Sequence, residues 1–275
     1  MNRQSAGKAE LIINKFNEGF KAIEIAKELH FSYASVKSVL KKSGLMKDRK
    51  SPVYTRSINV DYFKDINTED KAYFLGLIKA DGYIDSARNR MSLRLQERDK
   101  ELLIRLCDAL NISIKKLNFI RRKNETSQDH YELSVQNENF VGHLKNVKDS
   151  SVLDKVPEHL SRHFIRGYFD GDGCISYSSV SKVKFQINIM GSPNDAHMLE
   201  YICRFFNFNI YVDKRSNLPL IQSANVATIM NFRDVCFDNC YIYLHRKKLK
   251  FDLFKFIKST STTTRETSAK DEDIV

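Results

Sequence analysis

The sequence lacks the features of a membrane-spanning or disulfide-rich secreted protein. No apolar run in its 275 residues approaches the roughly 20 residues needed to span a bilayer. The first ten residues, MNRQSAGKAE, lack the apolar core of a signal peptide. The five cysteines are scattered without CxxC pairs, which argues against a disulfide framework or a structural zinc site. We therefore expect an intracellular protein with mostly buried, reduced thiols.

Positive charge is what the chain has in excess. The formal net charge is +11 and the sequence pI is about 9.3. A polyanionic partner is indicated, because neutralising phosphates releases counterions and supplies most sequence-independent affinity for nucleic acids. An anionic membrane surface would also satisfy the charge, but we expect double-stranded DNA as the partner and no membrane.

Residues 8–45 show the periodicity of three short helices, and AIEIAKELHFSYASVKSVLKK resembles a helix-turn-helix. Ala26 is small where two helices would cross, and Ser32 can cap the second one. His30 stands where the turn usually carries glycine, at a position that tends to adopt positive φ. A helical bundle with no role in DNA binding is the alternative. The exposed positions predicted to contact DNA are Tyr33, Ser35, Lys37 and Lys41.

The segments on either side of the central region have no periodicity. Residues 47–66 contain Pro52 and several basic side chains, which predicts a linker. Arg49, Lys50 and Arg56 would follow a phosphate backbone or enter a minor groove, although a merely solvated tether fits as well. Residues 259–275 have almost no apolar content, so we predict a disordered tail.

The central region contains one pattern twice. Each copy reads as a helix, strands, a helix, strands and a helix, with alternating apolar residues in the strands. We predict an α+β fold of two half-domains related by an approximate twofold axis, preceded by a small all-α helix-turn-helix domain. The predicted domains are 1–46, 67–155 and 156–258. The residue pairs that lie 91 positions apart are Gly76 and Gly167, Asp81 and Asp172, and Gly82 and Gly173.

Small residues follow a four-residue spacing in the first helix of each copy. Gly76 and Ala80 share one helical face, as do Gly167 and Gly171. A glycine inside a helix costs up to about 1 kcal/mol relative to alanine, so a packing reason is expected. We predict that the two helices pack against each other on these faces.

Asp81 and Asp172 are predicted to lie at the carboxyl ends of the two paired helices. The helix macrodipole is negative there, and a symmetric pair would bring the carboxylates together, so both effects disfavour the two charges. Bound divalent cations would remove the penalty, and oxygen ligands suit Mg²⁺ or Mn²⁺. A turn role before Gly173 is the alternative for Asp172, but the matched duplication argues against it.

FLGLIKADG (74–82) and IRGYFDGDG (165–173) resemble the two signature motifs of a double-motif LAGLIDADG homing endonuclease, and IYLHRKKLKF resembles the closing segment of that family. The resemblance implies two αββαββα repeats in a monomer whose saddle-shaped antiparallel sheets sit on a long DNA target. It also implies Mg²⁺-dependent double-strand cleavage across the minor groove that leaves 3′ overhangs, with Mn²⁺ as a substitute. The implied metal ligands are the carboxylates of Asp81 and Asp172 and the backbone carbonyls of Ala80 and Gly171.

One residue departs from the motif, and other polar residues are candidates for supporting roles. Lys79 stands where the second copy has Asp170, which affects only the symmetry between the two strand cleavages. Gln136 and Gln222 are interpreted as occupying matching places at strand ends in the two copies, and they are candidate catalytic residues. Outward-facing strand residues are predicted to read bases, because Arg recognises guanine and Asn or Gln recognises adenine. The candidates are Arg88, Arg90, Arg94, Gln96, Ser181, Lys182, Lys184, Gln186 and Asn188.

Two further functions stay open from the sequence. One is a non-cleaving, DNA-binding transcriptional regulator of the same fold, against which the retention of both acids argues. The other is a splicing cofactor (maturase) that binds host intron RNA with the same basic surface, and this activity is compatible with DNA cleavage.

Overall fold

The computed structural model describes residues 3–45, 58–121, 128–178 and 184–257. The chain divides into two compact units, Met1–Tyr54 and Thr55–Val275, each with its own hydrophobic core. No helix in the described ranges is both long and apolar enough to cross a membrane. The predictions that fall outside the described residues concern Arg49, Lys50, Arg56, Ser181, Lys182 and the tail 259–275.

The N-terminal unit consists of three helices: α1 (Arg3–Asn17), α2 (Ala22–Glu28) and α3 (Tyr33–Lys42). Their shared core includes Ile25, Val36 and Leu40, none of which is accessible to solvent. Ser32 caps α3 by accepting a hydrogen bond from the Ser35 backbone N–H at 3.1 Å. The turn between α2 and α3 places His30 at φ 52°, the left-handed conformation that we expected of a glycine there.

The main unit has the predicted order αββαββα twice, and the α+β fold is thereby confirmed. The first half comprises α4 (Glu69–Asp81), β1 (Gly82–Asp85), β2 (Arg90–Gln96), α5 (Lys100–Ala109), β3 (Asn118–Ile120), β4 (His130–Gln136) and α6 (Glu138–Leu144). The second half comprises α7 (Ser161–Asp172), β5 (Gly173–Ser178), β6 (Lys184–Met190), α8 (Ala196–Phe206), β7 (Asn209–Val212), β8 (Pro219–Ser223) and α9 (Val226–Phe237). A further helical segment occupies residues 245–257.

Each half contains one four-stranded antiparallel sheet, with strand order β1-β2-β4-β3 in the first and β5-β6-β8-β7 in the second. Side chains alternate along the central strands, since successive residues of a strand point to opposite faces. In β2, for example, Met91, Leu93 and Leu95 are buried in the core while Arg94 is exposed. The outer face of each sheet therefore carries polar and basic residues.

The predicted linker extends too far. Tyr62, Phe63 and Ile66 fall inside the range 47–66 but are buried in the core of the main unit. Phe63 packs against Phe140 with ring centroids 5.8 Å apart. These residues lie in irregular turns, so no helical or strand periodicity marked them as part of the core.

Helices α4 and α7 pack face to face through their small residues. A Cβ atom added to Gly76 would overlap the carbonyl oxygen of Phe164, and one added to Gly167 would overlap that of Tyr73. Close backbone contact therefore replaces side-chain packing at the centre of the interface. The same contact places the carboxyl ends of the two helices beside each other.

Buried polar contacts also join α4 to α7. Arg166 of α7 is fully buried, and its guanidinium donates to the Glu69 carboxylate of α4 at 2.6 Å. The same guanidinium donates to the backbone carbonyls of Cys236 and Ile242. One turn further along, the Tyr73 hydroxyl donates to the Asp170 carboxylate at 2.8 Å. These bonds compensate the desolvation of the charged groups at the interface.

Candidate active site

Asp81 and Asp172 are the last residues of α4 and α7, where β1 and β5 begin. Both residues are accessible to solvent. Neither carboxylate forms a hydrogen bond or an ion pair with any other residue in the described part of the chain. Their helix ends are adjacent, because a Cβ atom added to Gly171 would lie 3.3 Å from Oδ2 of Asp81. Two acids that form no hydrogen bond or ion pair among the described residues therefore lie near each other at the ends of α4 and α7.

The protein surroundings make ionisation of both acids unfavourable. Partial burial raises the pKa of Asp81, against the attraction of Lys247 and Lys148. Burial and then the neighbouring charge of Asp81 raise the pKa of Asp172 to about 6. A bound cation would favour the charged forms of both residues.

This raised pKa predicts how metal-free stability depends on pH. Asp172 has a pKa of about 6 in the folded chain, against 3.8 ordinarily. The folded state therefore binds this proton more tightly than the unfolded state, and the carboxylate destabilises the fold progressively as the pH rises from about 4 through 6. We expect the difference in unfolding free energy between the wild type and Asp172→Asn to fall over that range in buffer with EDTA, as measured by urea denaturation. A difference that rises with pH would contradict the proposed surroundings of Asp172.

Two lysines lie beside the acids at the ends of these helices. Lys148 donates from Nζ to the backbone carbonyls of Lys79 at 2.6 Å and Ala80 at 3.0 Å. Lys247 donates to the carbonyls of Phe169, Asp170 and Gly173 at 2.6–2.7 Å. Cations suit helix carboxyl ends, where carbonyl groups lack partners within the helix. Burial lowers the pKa of each lysine to about 8.

The departure of Lys79 from the motif has a structural explanation. Its Nζ lies 2.6 Å from Oδ1 of Asp195, just before α8 in the second half, and both side chains are buried. It also donates to the backbone carbonyl of Lys148. Burial opposes ionisation of Asp195, but hydrogen bonds from Lys79 and Ser192 bring its pKa below the usual value. Lys79 therefore links the two halves and is not an altered metal ligand.

A cavity of about 440 Å³ opens next to Asp172. Lys148, Ser192 and Asn194 contribute polar groups to its wall, and Met190 and Leu218 contribute apolar ones. The cavity provides space for a ligand within reach of the carboxylate.

The acids fit a divalent cation of the magnesium type. Mg²⁺ is usually held by one or two carboxylates together with substrate phosphates and water, and it needs no cage of many protein ligands. No group of three or more His, Cys, Asp or Glu residues within the described ranges could hold a metal. Asp81 and Asp172 form no hydrogen bond or ion pair within the part of the chain that the structure describes, whereas the Ala80 carbonyl already accepts a hydrogen bond from Lys148. Ala80 could bind a metal only through its second lone pair.

Residues 165–258 match the family model of the LAGLIDADG endonucleases. These residues form a LAGLIDADG domain. The match begins in α7, whose last residue is Asp172, and it includes Lys247. The match confirms the resemblance seen in the second motif, IRGYFDGDG, and in the closing segment.

Solved structures share the fold of the main unit. The LAGLIDADG homing endonuclease I-LtrWI, bound to target DNA, aligns with a TM-score of 0.51 and 16% identity over 74% of this chain and 92% of its own. I-GzeII, another LAGLIDADG homing endonuclease in complex with DNA, aligns with a TM-score of 0.50 and 14% identity over 69% and 91%. At these identities the similarity concerns the fold.

Two relatives are similar in sequence. The intron-encoded RNA maturase bI4 of Saccharomyces cerevisiae is 25% identical over 211 residues, which cover 70% of this chain and 33% of the yeast protein. An uncharacterized protein of Methanocaldococcus jannaschii is 23% identical over 173 residues, covering 59% of this chain and 65% of that protein. The chain spans less than two thirds of the length of either relative.

The two glutamines do not occupy matching places in the two halves. Gln222 of β8 pairs with Asn188 of β6, and the position in β4 with the same register is Ser134. Gln136 lies two residues further along, opposite Arg90. Gln222 also accepts a hydrogen bond from Gln186 at 3.0 Å. YELSVQ and LPLIQS are similar in sequence, but their glutamines differ by two positions in the register of the sheets. The prediction that they match was therefore wrong.

The candidate base-reading residues mostly lie on the outer sheet faces. Arg94 is exposed and forms an ion pair with Glu132 at 3.0 Å. Arg88 lies in the turn between β1 and β2, where it pairs with Asp85, so its placement in a strand was wrong. The other described candidates, Arg90, Gln96, Lys184, Gln186 and Asn188, all belong to β2 or β6 and are exposed or half-buried.

The N-terminal candidates all lie on α3. Tyr33 is exposed, with the Lys37 ammonium 5.6 Å from the centre of its ring. Ser35 is exposed, and its hydroxyl is 2.7 Å from that of Ser32 at the cap. Lys41 is exposed in the last turn. One face of α3 thus presents a tyrosine and two lysines.

The sequence analysis missed Lys148, Lys247 and Asp195 as parts of the site. Lys247 lies within IYLHRKKLKF, the closing segment that resembles the family, so its signal was present but not assigned to a role. Lys148 follows α6 in irregular structure and carries no pattern that distinguishes it from other surface lysines. The thiol prediction was also too simple, because Cys174 is exposed while Cys107 and Cys236 are buried.

Proposed function

We propose that the protein is a monomeric, site-specific DNA endonuclease that cuts both strands of a long target and leaves 3′ overhangs. The observation that carries this proposal is the pair of unpartnered carboxylates, Asp81 and Asp172, at the adjacent ends of two packed helices. A regulator that only binds DNA would have no use for two acids in this arrangement. The net charge of +11 supports a nucleic-acid target.

Each group at the site has a distinct part in this proposal. Asp81 and Asp172 would hold Mg²⁺, or Mn²⁺ in its place, and orient the attacking water. When bound, the cation supplies polarisation of a phosphoryl oxygen and a lowered pKa for that water. Lys148 and Lys247 offset the negative helix ends, and the outer strand residues hold the DNA across its minor groove. Gln136 and Gln222 remain candidates for contacts to the DNA near the acids.

The direct test is incubation with DNA that spans the insertion site of the gene, in the presence of Mg²⁺. We expect cleavage of both strands at staggered positions, with the ends mapped by primer extension, and no cleavage with EDTA. Binding of the target without any cut in Mg²⁺ or Mn²⁺ would contradict the proposal and favour a regulator.

A role as an RNA maturase is the second candidate, because a yeast intron-encoded RNA maturase is among the sequence relatives. The host intron RNA would be the partner. Splicing of that RNA in vitro should then be stimulated by the wild type and equally by an Asp81→Asn, Asp172→Asn double variant. If stimulation of splicing requires Asp81 and Asp172, the activity on RNA would depend on the same acids as the cleavage of DNA.

We expect the N-terminal unit to add DNA affinity without taking part in cleavage. Deleting residues 1–50 removes the tyrosine and lysines of α3, so binding should weaken. The slope of the logarithm of the binding constant against the logarithm of the salt concentration should become smaller by about one for each lost phosphate contact. Titrations at several salt concentrations would measure both effects. Cleavage by the shortened chain should persist when enzyme and target are both supplied at high concentration. Loss of metal-dependent cleavage under those conditions would contradict the assignment.

A further inference from the structure

The outer face of the first sheet carries an ionic pair close to Asp81. Gly82 follows Asp81 in the chain and pairs with Leu93 of β2. The next residue of β2 is Arg94, which pairs with Glu132 of β4. Leu93 is buried, whereas Arg94 is exposed, and its guanidinium lies 3.0 Å from the Glu132 carboxylate. A hydrogen-bond donor and an acceptor therefore stand side by side on this face.

The second sheet carries apolar side chains at the equivalent positions. Gly173, at the start of β5, pairs with Ile189 of β6. The next residue of β6 is Met190, which pairs with Leu220 of β8, and Leu220 also pairs with Tyr211 of β7. Directly opposite side chains of antiparallel strands are close enough to touch. Met190, Leu220 and Tyr211 therefore form one group across three strands, the apolar patch.

The apolar patch is open to a ligand. Met190 and Tyr211 are about 40% exposed, and Leu220 is half-buried. Asn188 and Gln222 lie next to the patch on the same face. Single exposed apolar side chains need no explanation, whereas a group of them rimmed by polar residues is typical of a binding surface. Because Met190 also lines the cavity beside Asp172, whatever covers the patch lies close to the acids.

The two equivalent sites suit different base pairs. In the major groove a G·C pair shows acceptors on guanine and an amino donor on cytosine, and thymine shows a methyl group. Arginine donates to guanine and glutamate accepts from cytosine, so the Arg94–Glu132 pair complements a G·C pair. The apolar patch offers no charge to a base edge, and it complements the thymine methyl. The major groove lies on either side of the minor groove at which the acids are proposed to act, and it admits a two-stranded ribbon.

On the basis of the proposed function, we propose that the apolar patch contacts the methyl group of one thymine in the target, and that the Arg94–Glu132 pair reads a G·C pair at the equivalent place in the other half of the target. The target is therefore not palindromic at these two places. The protein also distinguishes thymine from uracil in one half of the target.

The test uses target DNA selected by binding from a random-sequence library without Mg²⁺, so that it does not depend on cleavage. Each thymine of the selected target is then replaced singly by deoxyuridine, which removes only the methyl group. For the wild type we expect about fourfold weaker binding at one thymine, the loss for one buried group of this size. The base pair at the equivalent place in the other half should be G·C.

Two double variants test the assignment of the patch. A Met190→Ala, Leu220→Ala variant should bind the thymine and uracil forms equally. A Met190→Arg, Leu220→Glu variant installs the ionic pair of the first sheet, so a repeated selection should give G·C in place of the A·T pair. Val212→Ala is the matched control, because Val212 is an exposed apolar residue on the opposite face of β7 from Tyr211. It should keep the fourfold difference.

Melting temperatures, measured in parallel, show whether each variant is folded. A wild type that is indifferent to uracil at every position would overturn this inference, as would a folded Met190→Ala, Leu220→Ala variant that keeps the full difference. A selected target with the same base pair at both equivalent places would also overturn it. If the wild type distinguishes thymine from uracil but does not cut in Mg²⁺, the endonuclease function alone fails. A wild type that binds no duplex DNA would overturn both.

Discussion

Replacing Asp172 by asparagine should abolish double-strand cleavage while leaving affinity for the target DNA largely unchanged. Asparagine has the same shape but no negative charge, so it cannot hold a divalent cation as the carboxylate does. The loss of several kcal/mol of transition-state stabilisation corresponds to a rate decrease on the order of 10³-fold. Gel-shift titration would measure binding, and product analysis would measure cleavage. Asp81→Asn should have the same effect.

The exposed acid Asp108 on α5 supplies the control, since Asp108→Asn removes an equal charge from a helix that contains neither motif. We expect its cleavage rate to match that of the wild type. Undiminished double-strand cleavage by both Asp81→Asn and Asp172→Asn would refute the site assignment. A nicked product from one variant alone would show that the two strands depend on the acids differently.

Replacing Gly167 by valine should destabilise the main unit by more than about 3 kcal/mol, since overpacking of this severity exceeds the usual range. Any side chain at this position meets the backbone of Tyr73, and the backbone cannot move aside as a flexible side chain could. Thermal and urea denaturation would measure the loss, and we expect cleavage to disappear with the fold.

Gly142→Ala is the matched control for this change. Gly142 also lies within a helix, α6, but an added Cβ atom there meets nothing within 4 Å. Alanine should therefore stabilise the protein by about 0.5–1 kcal/mol through its helix propensity. Equal effects at positions 142 and 167 would indicate that α4 and α7 do not pack on their glycine faces.

The repeat made most of the main unit predictable. Strand alternation in MSLRLQ is a local signal, and it agrees with the structure. Asp81 and Asp172 could be singled out because each precedes a glycine at the same place in the two copies. Two unrelated Asp-Gly turns would not be expected at matching positions. Which residues of β4 and β8 are equivalent was not predictable. This equivalence depends on how β4 pairs with β2 and how β8 pairs with β6, and not on the sequence of either strand.

The remaining parts of the site depend on contacts between segments far apart in the chain. Lys148 contacts carbonyls of residues 79 and 80, about 70 positions earlier, and nothing local to it indicates this partner. In the sequence, Lys79 only breaks the symmetry between the two motifs. In the structure it forms an ion pair with Asp195 of the other half. The buried turn around Phe63 has no period at all, so composition suggested a linker.

The contact between Arg166 and Glu69 has a consequence for how the two motif helices align. Helical faces made of small residues every four positions can match in more than one register, and neighbouring registers differ by one turn of about 5.4 Å. A slip of one turn would bring Glu69 toward Asp170, two acids in a buried place, and would separate Arg166 from its carboxylate. Buried charges that select one alignment are a known source of structural uniqueness. Arg166 thus fixes the alignment of the two helices, and with it the position of Asp81, twelve residues after Glu69 at the other end of α4, relative to Asp172.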